Sequence, residues 1–535
     1  MIRKRVLLGA AVVALFAIGW LAGRGNSAGG LYGNLDTFIE VIHRIEDSYV
    51  DPVEPQKLVG GAVAGLMQQL DPYSQFLDSR GYAQLQSTTQ GQFGGIGVLV
   101  SVRDQHPTVI SPVEGSPAWR AGLRPGDVIL RIDGKSTTGF TIEEASGLLR
   151  GAEGTRVTLA LRGEGEDEVR DVEMVREIIR TRSVPYAFMA DREVGYLRLA
   201  NFSERSGAEV REALERLRKA GAQRLILDLR SNPGGVLDQA VDVANQFLPK
   251  GSLVVSTRGR DAAQNQSYFV SAAGAESQWP LAVLVDGGSA SASEILAGAL
   301  QDLDRALLIG RTTFGKGSVQ RVFPLRGRDV AVKLTTSLYY TPSGRSIHRR
   351  IAPAVLEGER DEAEGEDLEG GEAAKEDSTA RPAFRTAAGR RVTGGGGITP
   401  DVELEPDTLA AAVAEIERRS LAFRFANRWS NAHPESRTAT AVGEPMWREF
   451  TGFLAGSGLK SAAPDWTAHR ARLEQLLRRE MSRRHLGDAG AAKVALESDP
   501  VFQRALRVLR KSRLPRDVFA SGGPGDTPVE TASRR

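Results

Sequence analysis

The sequence has no cysteine, and this absence excludes several kinds of chemistry from the start. Disulfide bonds, thiolate metal sites and a cysteine nucleophile are all ruled out. A chain without thiols is compatible with an oxidising compartment outside the cytoplasm, although its composition alone does not assign one.

An excess of charge of either sign is also lacking. The 69 Lys and Arg residues are balanced by 67 Asp and Glu residues, so the formal net charge is only +2 over 535 residues. Such a chain offers no broad basic surface, and we do not expect it to bind nucleic acid. Because 41% of its residues are hydrophobic, it can bury sizeable cores, and its length predicts several domains.

One long apolar run is present, and it lies near the N-terminus. Residues 6–23 carry no charge and follow a cluster of three basic residues at positions 3–5. The run is about long enough to span a bilayer, and the nearest cleavage-like site has Asn26 where a small residue belongs. Because basic residues stay on the cytoplasmic side, the sequence predicts a cytoplasmic flank and an uncleaved transmembrane signal anchor over residues 1–29. The protein would cross the inner membrane once, with its catalytic part in the periplasm.

Composition and periodicity divide the rest of the chain into segments of different kinds. Apolar residues at three- and four-residue spacing predict helices, whereas short apolar runs bounded by glycine-rich turns predict strands. Three continuous apolar strands that flank helical patterns indicate an α/β core. The predicted segments are an N-terminal helical element (30–87), a mainly-β segment (88–178), an α/β core (179–350), an acidic low-complexity insert expected to be disordered (351–396), a return to the core (397–405), a C-terminal helical region (406–515) and a disordered tail (516–535).

A cluster of very small residues, GGSASASEI at 287–295, directly follows a buried strand and opens a helical pattern. Small residues allow a tight turn that presents a serine hydroxyl and nearby amides at a helix N-terminus, where developing negative charge is stabilised. Serine and glycine are equally ordinary at helix caps. The cluster therefore indicates a nucleophile but does not establish one.

A serine nucleophile needs a base, and the six histidines do not supply an obvious one. Only His348 lies near the α/β core, so a Ser-His-Asp triad is not favoured. Lys316 lies between two glycines in FGKGSVQ, and Gln320 falls on the same face four residues later, where it can accept a hydrogen bond from the amine. Taken alone, a lysine in a glycine-rich turn is more often a solvated loop residue.

Several motifs in this order resemble the carboxyl-terminal processing (tail-specific) proteases, which use a Ser-Lys dyad. The motifs are DLRSNPGG at 228–235, GGSASASEILAGALQD at 287–302, RTTFGKGSVQ at 311–320, YYTPSGRSI at 339–347 and GITPDVEL at 397–404. The resemblance implies an α/β (α+β) protease core of the ClpP/crotonase-like type, with an inserted mainly-β PDZ domain and helical N- and C-terminal elements. This sequence departs from the family in its long acidic insert, which could bind a partner or regulate the enzyme.

By the same resemblance, each part of a serine peptidase site has a counterpart in this sequence. Ser291 is implied as the nucleophile, Lys316 as the base and Gln320 as the residue that orients the lysine. The implied oxyanion hole consists of the backbone amide of Ala292 and that of Gly234 or Gly235, between which the sequence does not choose. The neighbours expected to be structural are Ser289, Ser293, Asp228 and Arg230, together with Glu294 as a first-turn helix charge.

A second resemblance is to PDZ domains. FGGIG at 93–97 is similar to the carboxylate-binding loop, and AGLRPGDVILRIDG at 121–134 is similar to the interior of the domain. The residues implied to bind a substrate tail are Phe93, Gly94, Gly95, Ile96 and Gly97. A tail would add as a strand while backbone amides hold its carboxylate.

These expectations combine into a serine endopeptidase that recognises C-terminal tails through its PDZ domain and cleaves proteins through an acyl-enzyme, without a metal or cofactor. The expected partners are proteins with exposed C-terminal tails, an adaptor or regulator, the membrane and further copies of the chain. An alternative is a PDZ-based binding or scaffold protein whose protease fold is inert or gated by a partner. A crotonase-like acyl-CoA enzyme explains neither the PDZ segment nor Lys316.

Overall fold

The structure is a computed structural model that describes residues 31–272, 274–325, 329–349, 381–405, 409–433, 441–459 and 466–520. No helix within these ranges is long and apolar enough to cross a membrane. The anchor expected over residues 1–29, most of the acidic insert and residues 521–535 lie outside the described residues. The disordered tail expected over 516–535 is wrong at its start, because Asp517–Ala520 form a short helix whose Val518 is buried against the core.

The described chain contains strand-rich, mixed and all-helical stretches. The helices are α1 (Leu31–Ser48), α2 (Pro55–Gln68), α3 (Ser79–Gln90), α4 (Pro117–Arg120), α5 (Ile142–Leu149), α6 (Ser206–Lys219), α7 (Leu237–Ala244), α8 (Ala292–Asp302), α9 (Ala411–Arg418), α10 (Leu421–Ala432), α11 (Glu444–Ala455), α12 (Arg470–Leu496), α13 (Pro500–Lys511) and α14 (Asp517–Ala520). The strands are β1 (Gln75–Leu77), β2 (Gln92–Gly95), β3 (Val98–Arg103), β4 (His106–Pro112), β5 (Val128–Ile132), β6 (Lys135–Ser136), β7 (Arg156–Arg162), β8 (Val169–Val175), β9 (Glu177–Arg180), β10 (Ala187–Met189), β11 (Val194–Arg198), β12 (Arg224–Asp228), β13 (Leu253–Gly259), β14 (Gln266–Phe269), β15 (Leu281–Val285), β16 (Leu307–Gly310), β17 (Ser318–Pro324), β18 (Ala331–Tyr340), β19 (Ala383–Arg385), β20 (Arg391–Thr393) and β21 (Val402–Glu403).

The chain divides into two compact units, of which the first comprises Met1–Tyr82 and Gln320–Thr335. Its described part contains α1 and α2, and β1 pairs antiparallel with residues 331–333 of β18. No residue of α2 is buried within the chain. Apolar side chains on both helices are exposed, among them Phe38 and Leu66.

The second unit comprises Ala83–Val319 and Thr336–Arg535. Its largest sheet has the strand order β10-β11-β12-β15-β16-β21, and all neighbours pair in parallel except β10 and β11. In a parallel sheet the connecting helices cover both faces. The strands are therefore buried on both sides, and their sequences are continuously apolar. Every residue of β15 is buried, which agrees with the prediction of a strand in the interior of an α/β core.

Helices cover both faces of this sheet. Alternate strand residues such as Leu227 and Val283 pack with α6, α7 and α8 on one face. The residues between them, such as Ile226 and Leu284, pack with α13 on the other. Because side chains alternate along a strand, each strand contributes to two separate cores, and the C-terminal α13 is an integral layer of the α/β core.

The mainly-β segment forms its own sheet with the order β3-β4-β5-β7-β8, in which β6 pairs with β5. Its core includes Ile96, Val109 and Leu161. Strand β3 pairs only with β4 in this sheet and is therefore an edge strand. Separately, β2 pairs antiparallel with β9.

The end of the acidic insert differs from the expectation. The sequence predicts disorder up to residue 396, but β19 and β20 form an antiparallel hairpin within residues 381–396. Val392 is buried, and the buried Arg345 donates a hydrogen bond to the Thr393 carbonyl at 2.9 Å. Polar composition misled the prediction because these residues gain order from contacts with the core rather than from a core of their own.

Candidate active site

Ser291 stands at the turn between β15 and α8. It has φ 54° and ψ −115°, a strained conformation for a residue other than glycine. The side chain is partly exposed, whereas Ser289 and Ser293 are fully buried. Their hydroxyls donate to the carbonyl oxygens of Leu229 and Asn232, at 2.8 and 2.9 Å, so both neighbours brace the turn.

Lys316 lies in the loop between β16 and β17 and is also partly buried. The glycines on either side allow close packing: a Cβ atom at Gly315 would lie 2.9 Å from Arg349 Cβ, and one at Gly317 would lie 2.6 Å from the backbone nitrogen of His348. A larger residue at either position would therefore push the loop out of place. This packing explains why the lysine is flanked by glycine on both sides.

Glu294, in the first turn of α8, joins the serine turn to the lysine loop. Its Oε2 accepts the backbone N–H of Ser291 and that of Lys316, each at 2.9 Å. Its Oε1 accepts the Thr313 hydroxyl at 2.5 Å and the Gly315 N–H at 2.7 Å. The side chain is completely buried, and burial raises the pKa of Glu294 to about 7 although these hydrogen bonds lower it. The sequence treats this residue as a helix-cap charge, but its four partners make it the bridge of the site.

A second bridge comes from Tyr339 near the end of β18. Its buried hydroxyl is a shared donor to the carbonyl oxygens of Ser291, at 3.1 Å, and of Lys316. Ser291 and Lys316 are thus tied together both at their amides, through Glu294, and at their carbonyls. Tyr339 lies in the YYTPSGRSI motif, but nothing in the sequence indicates that its hydroxyl reaches back to residue 291.

The glycines of NPGG lie beside the serine turn. A Cβ atom at Gly234 would lie 2.7 Å from Ser291 Cβ and 2.8 Å from the Ala292 nitrogen. The Gly234 N–H already donates to Asn232 Oδ1 at 2.9 Å. By contrast, the amides of Gly235 and Ala292 have no acceptor within the part of the chain that the structure describes. The geometry therefore distinguishes two glycines that the sequence leaves equivalent.

The buried Asp228 and the partly buried Arg230 form an ion pair at the start of this loop. Arg230 Nη2 donates to Asp228 Oδ2 at 2.6 Å, and Arg198 and Tyr196 donate to the same carboxylate. Burial alone would raise the pKa of Asp228, but the two arginines and the hydrogen bonds from Arg230 and Tyr196 lower it below its usual value. A carboxylate so fully engaged supports the loop and is not available to react.

Gln320 belongs to the first unit, where its position depends on other residues of that unit. Its Nε2 donates to Thr335 Oγ1 at 3.3 Å, and Thr335 in turn donates to Asp71 Oδ1 at 3.1 Å. Asp71 also accepts the hydroxyl of Ser74 at 2.8 Å. The amide side chain is thus held at the end of a short polar chain.

The predicted tail-binding residues lead from β2 into β3, the edge strand of the small sheet. Phe93, Gly94 and Gly95 belong to β2, Ile96 is buried, and Gly97, with φ 74°, immediately precedes β3. The amide of Gly97 has no acceptor among the described residues. An edge strand that follows such an amide is suited to the addition of a tail as a further strand.

Metal-ligating residues do not cluster in the described residues: no group of three or more His, Asp or Glu side chains there could hold an ion.

Comparison with known proteins follows the same division of the chain. The family model of peptidase family S41 matches residues 193–356, that of the PDZ domain matches 108–163, and that of the activating protease CtpB N-terminal domain matches 24–81. A carboxy-terminal-processing protease of Bartonella bacilliformis is 42% identical over 326 residues, which cover 60% of this chain and 74% of that protein. The carboxy-terminal processing protease CtpA of Bacillus subtilis is 37% identical over 324 residues, which cover 60% of this chain and 68% of that protein.

Among solved structures, the photosystem II D1 C-terminal processing protease is 27% identical, with a TM-score of 0.37 and coverage of 70% of this chain and 94% of that one. The matched families define a serine-type peptidase with mixed helices and strands that carries a PDZ domain. More particularly, the chain belongs to the family of carboxy-terminal processing proteases. Its PDZ domain fits protein substrates with C-terminal tails. The family supports a peptidase over the alternative of a PDZ-based binding or scaffold protein.

Proposed function

We propose that this protease cleaves its substrates with Ser291 as nucleophile and Lys316 as general base. The observation that carries the proposal is the double bridge between the two residues, through Glu294 at their amides and Tyr339 at their carbonyls. A serine hydroxyl needs a neighbouring base to become a nucleophile. The two bridges fix the backbone of Ser291 next to that of Lys316. This arrangement supports a hydroxyl and an amine that work as a pair.

In this mechanism the neutral amine of Lys316 takes the proton of the Ser291 hydroxyl as its oxygen attacks the scissile carbonyl. The lysine then gives that proton to the leaving amine, and the acyl group remains on the serine as an ester. A water molecule, deprotonated by the same lysine, hydrolyses the ester and restores the serine. On the family resemblance alone, Gln320 is the acceptor that orients the amine.

For the oxyanion hole we propose the amides of Ala292 and Gly235. Both lack an acceptor among the described residues, whereas the Gly234 amide is already bound by Asn232. Donors that are fixed before the reaction stabilise the tetrahedral oxygen without reorganisation. Gly234 would then serve through its lack of a side chain, which allows the loop to approach Ser291.

The test compares turnover of an unfolded reporter with an apolar C-terminal tail by the chain from residue 31 onward and by Ser291→Ala and Lys316→Ala. We expect each variant to lose at least about a thousandfold in kcat/KM because each removes a reacting group. A fluorophosphonate probe should label the parent and not Ser291→Ala. Matched controls are Ser271→Ala and Lys250→Ala, which replace exposed residues of the same types and should cleave like the parent. Cleavage by either dyad variant at the parent's rate would refute the assignment.

The remaining expectations extend this proposal to the whole protein. We propose a ClpP/crotonase-like core, which the parallel sheet with helices on both faces supports. The apolar run at residues 6–23 supports an anchored, periplasmic enzyme, and the exposed apolar side chains of α1 and α2 support a homo-oligomer. Membrane fractionation of the full chain and light scattering of the chain from residue 31 test the two points. An adaptor that delivers or gates substrates remains part of the proposal.

A further inference from the structure

Asp499 connects the C-terminal helical region to the loop beside Ser291. It is the N-cap of α13: its Oδ1 accepts the N–H groups of Val501 and Phe502, at 2.9 and 3.1 Å. Its other oxygen, Oδ2, accepts Arg230 Nη1 at 2.5 Å. The Asp499 carboxylate therefore binds both the first turn of α13 and Arg230, which lies 269 residues earlier in the chain.

Arg230 is held on its other side by Asp228. Its Nε and Nη2 both donate to the Asp228 carboxylate, and its backbone N–H donates to Asp228 Oδ1 at 3.0 Å. The guanidinium is planar and rigid, so two acids that bind different edges of it fix its orientation. Arg230 begins the segment that continues through Asn232 to the amides of Gly234 and Gly235.

The position of Asp499 is itself rigid because α13 packs on the sheet. Phe502 lies edge-on to Tyr196, with 5.7 Å between ring centroids, and the Tyr196 hydroxyl donates to Asp228 Oδ2 at 2.8 Å. The start of α13 thus reaches the Asp228–Arg230 pair by two routes, one ionic and one through an aromatic contact. Displacement of this helix end would be transmitted to the loop.

We infer that Asp499 is a positioning residue for catalysis. Through Arg230 it holds in place the segment from Arg230 to Gly235, which we call the oxyanion loop. The inference rests on the proposed function, because it presumes that the Gly235 amide stabilises the tetrahedral intermediate. Loss of the carboxylate charge leaves Arg230 bound only by Asp228, so the loop that follows can shift. Small displacements of an oxyanion donor reduce the rate without changing how the PDZ domain binds the substrate tail. Catalytic competence would then depend on a helix outside the matched peptidase residues 193–356.

The test is Asp499→Asn in the full chain. Asparagine keeps an oxygen that can cap α13 but removes the charge that holds Arg230. We expect kcat for the tailed reporter to fall about tenfold with KM within about twofold of the parent. The rate of labelling by a fluorophosphonate should fall in parallel, because the phosphonyl oxygen uses the same donors.

The chain offers a closely matched control in Asp191, which also joins α13 to the core. Its Oδ1 accepts the Arg192 N–H at 2.8 Å, and its Oδ2 accepts Arg510 Nε at 2.6 Å, at the other end of the helix. Asp191→Asn therefore breaks an ion pair between the same two elements without touching the oxyanion loop. It should cleave like the parent.

The inference is overturned if Asp499→Asn keeps the parent's kcat, if Asp191→Asn loses as much, or if the loss follows the fraction of unfolded protein measured by circular dichroism. Ser291→Ala in the same assay separates this result from the proposed function. If that variant stays active, the nucleophile assignment is wrong, and the comparison of the two aspartate variants still decides whether Asp499 affects the rate.

Discussion

At the scale of single residues, Glu294 shows how burial changes the role of an ordinary helix-cap residue. Its spacing from Ser291 is that of a capping box, and it does accept the Ser291 N–H. It also accepts three further hydrogen bonds from residues 313, 315 and 316. A side chain with four donors and no exposure organises the site from beneath its surface.

The raised pKa of Glu294 makes a specific prediction for stability. Burial moves this pKa from 4.5 in a free chain to about 7 in the folded protein, so between these values the folded state holds a proton that the unfolded chain has released. The stability that the protonated carboxyl contributes is complete below about pH 4.5 and is lost as the pH rises through about 7. We therefore expect the free energy of unfolding of the parent, relative to that of Glu294→Gln, to fall by on the order of 3 kcal/mol across this range.

Urea denaturation at a series of pH values measures this difference. Glu212→Gln, which replaces an exposed glutamate of α6, should follow the parent at every pH. Stability curves for the parent and Glu294→Gln that stay parallel from acid to neutral pH would show that Glu294 does not titrate in this way.

At the scale of secondary-structure elements, the helix that Ser291 caps is secured at its far end by a buried ion pair. Asp302, the last residue of α8, lies with its Oδ1 2.8 Å from Arg345 Nη2, and both side chains have an exposure of 0%. Arg345 Nη2 donates its hydrogen bond to Gln301 Oε1 at 2.7 Å. Its interaction with Asp302 is therefore mainly electrostatic. Asp302 Oδ2 accepts the hydroxyl of Thr341. The pair connects α8 to the turn after β18.

Replacement of Asp302 by asparagine should destabilise the protein strongly. The change leaves the Arg345 charge buried without its counter-ion, and burial already lowers the pKa of Arg345. Removal of one partner of a buried pair costs about 3–5 kcal/mol, which chemical denaturation would detect as a lower midpoint with an unchanged slope. Lys219→Ala, which breaks an exposed pair with Glu215 in α6, should cost no more than about 0.5 kcal/mol. Equal effects of the two variants would contradict the role given to burial.

At the scale of the whole molecule, the C-terminal helical region connects the small sheet to the α/β core within the second unit. Arg424 of α10 pairs with Glu164 at 3.1 Å, and Arg484 of α12 donates to the Pro125 carbonyl at 3.1 Å. Further along the chain, α13 covers one face of the large sheet. The region is therefore a structural part of both.

A chain that ends after Glu405 should fail to fold stably. It would expose the sheet face that α13 covers, where each large apolar side chain contributes about 1.5–3 kcal/mol by its burial. The residues that lose their cover include Ile226, Leu284, Leu307 and Ile309. We expect strong binding of a hydrophobic dye and no cooperative thermal transition.

The control for this truncation is a chain that ends after Ala520. It keeps α14 and lacks only residues 521–535, the rest of the segment that the sequence predicts to be a polar tail, and it should melt like the parent. A cooperative, active chain that ends after Glu405 would show that α13 is dispensable.

The sequence by itself determined the order of the domains, the family and the residues proposed to react, because short motifs and apolar periodicity are local properties. It predicted the buried β15, the serine turn and the glycine-flanked Lys316 without knowledge of their neighbours. It could not choose between Gly234 and Gly235, since that choice depends on which amide Asn232 occupies. Nor could it place Glu294 between two loops, or Asp499 on Arg230. Those contacts join residues far apart in the chain, and the charges that they bury acquire their properties only when the tertiary structure removes water from around them.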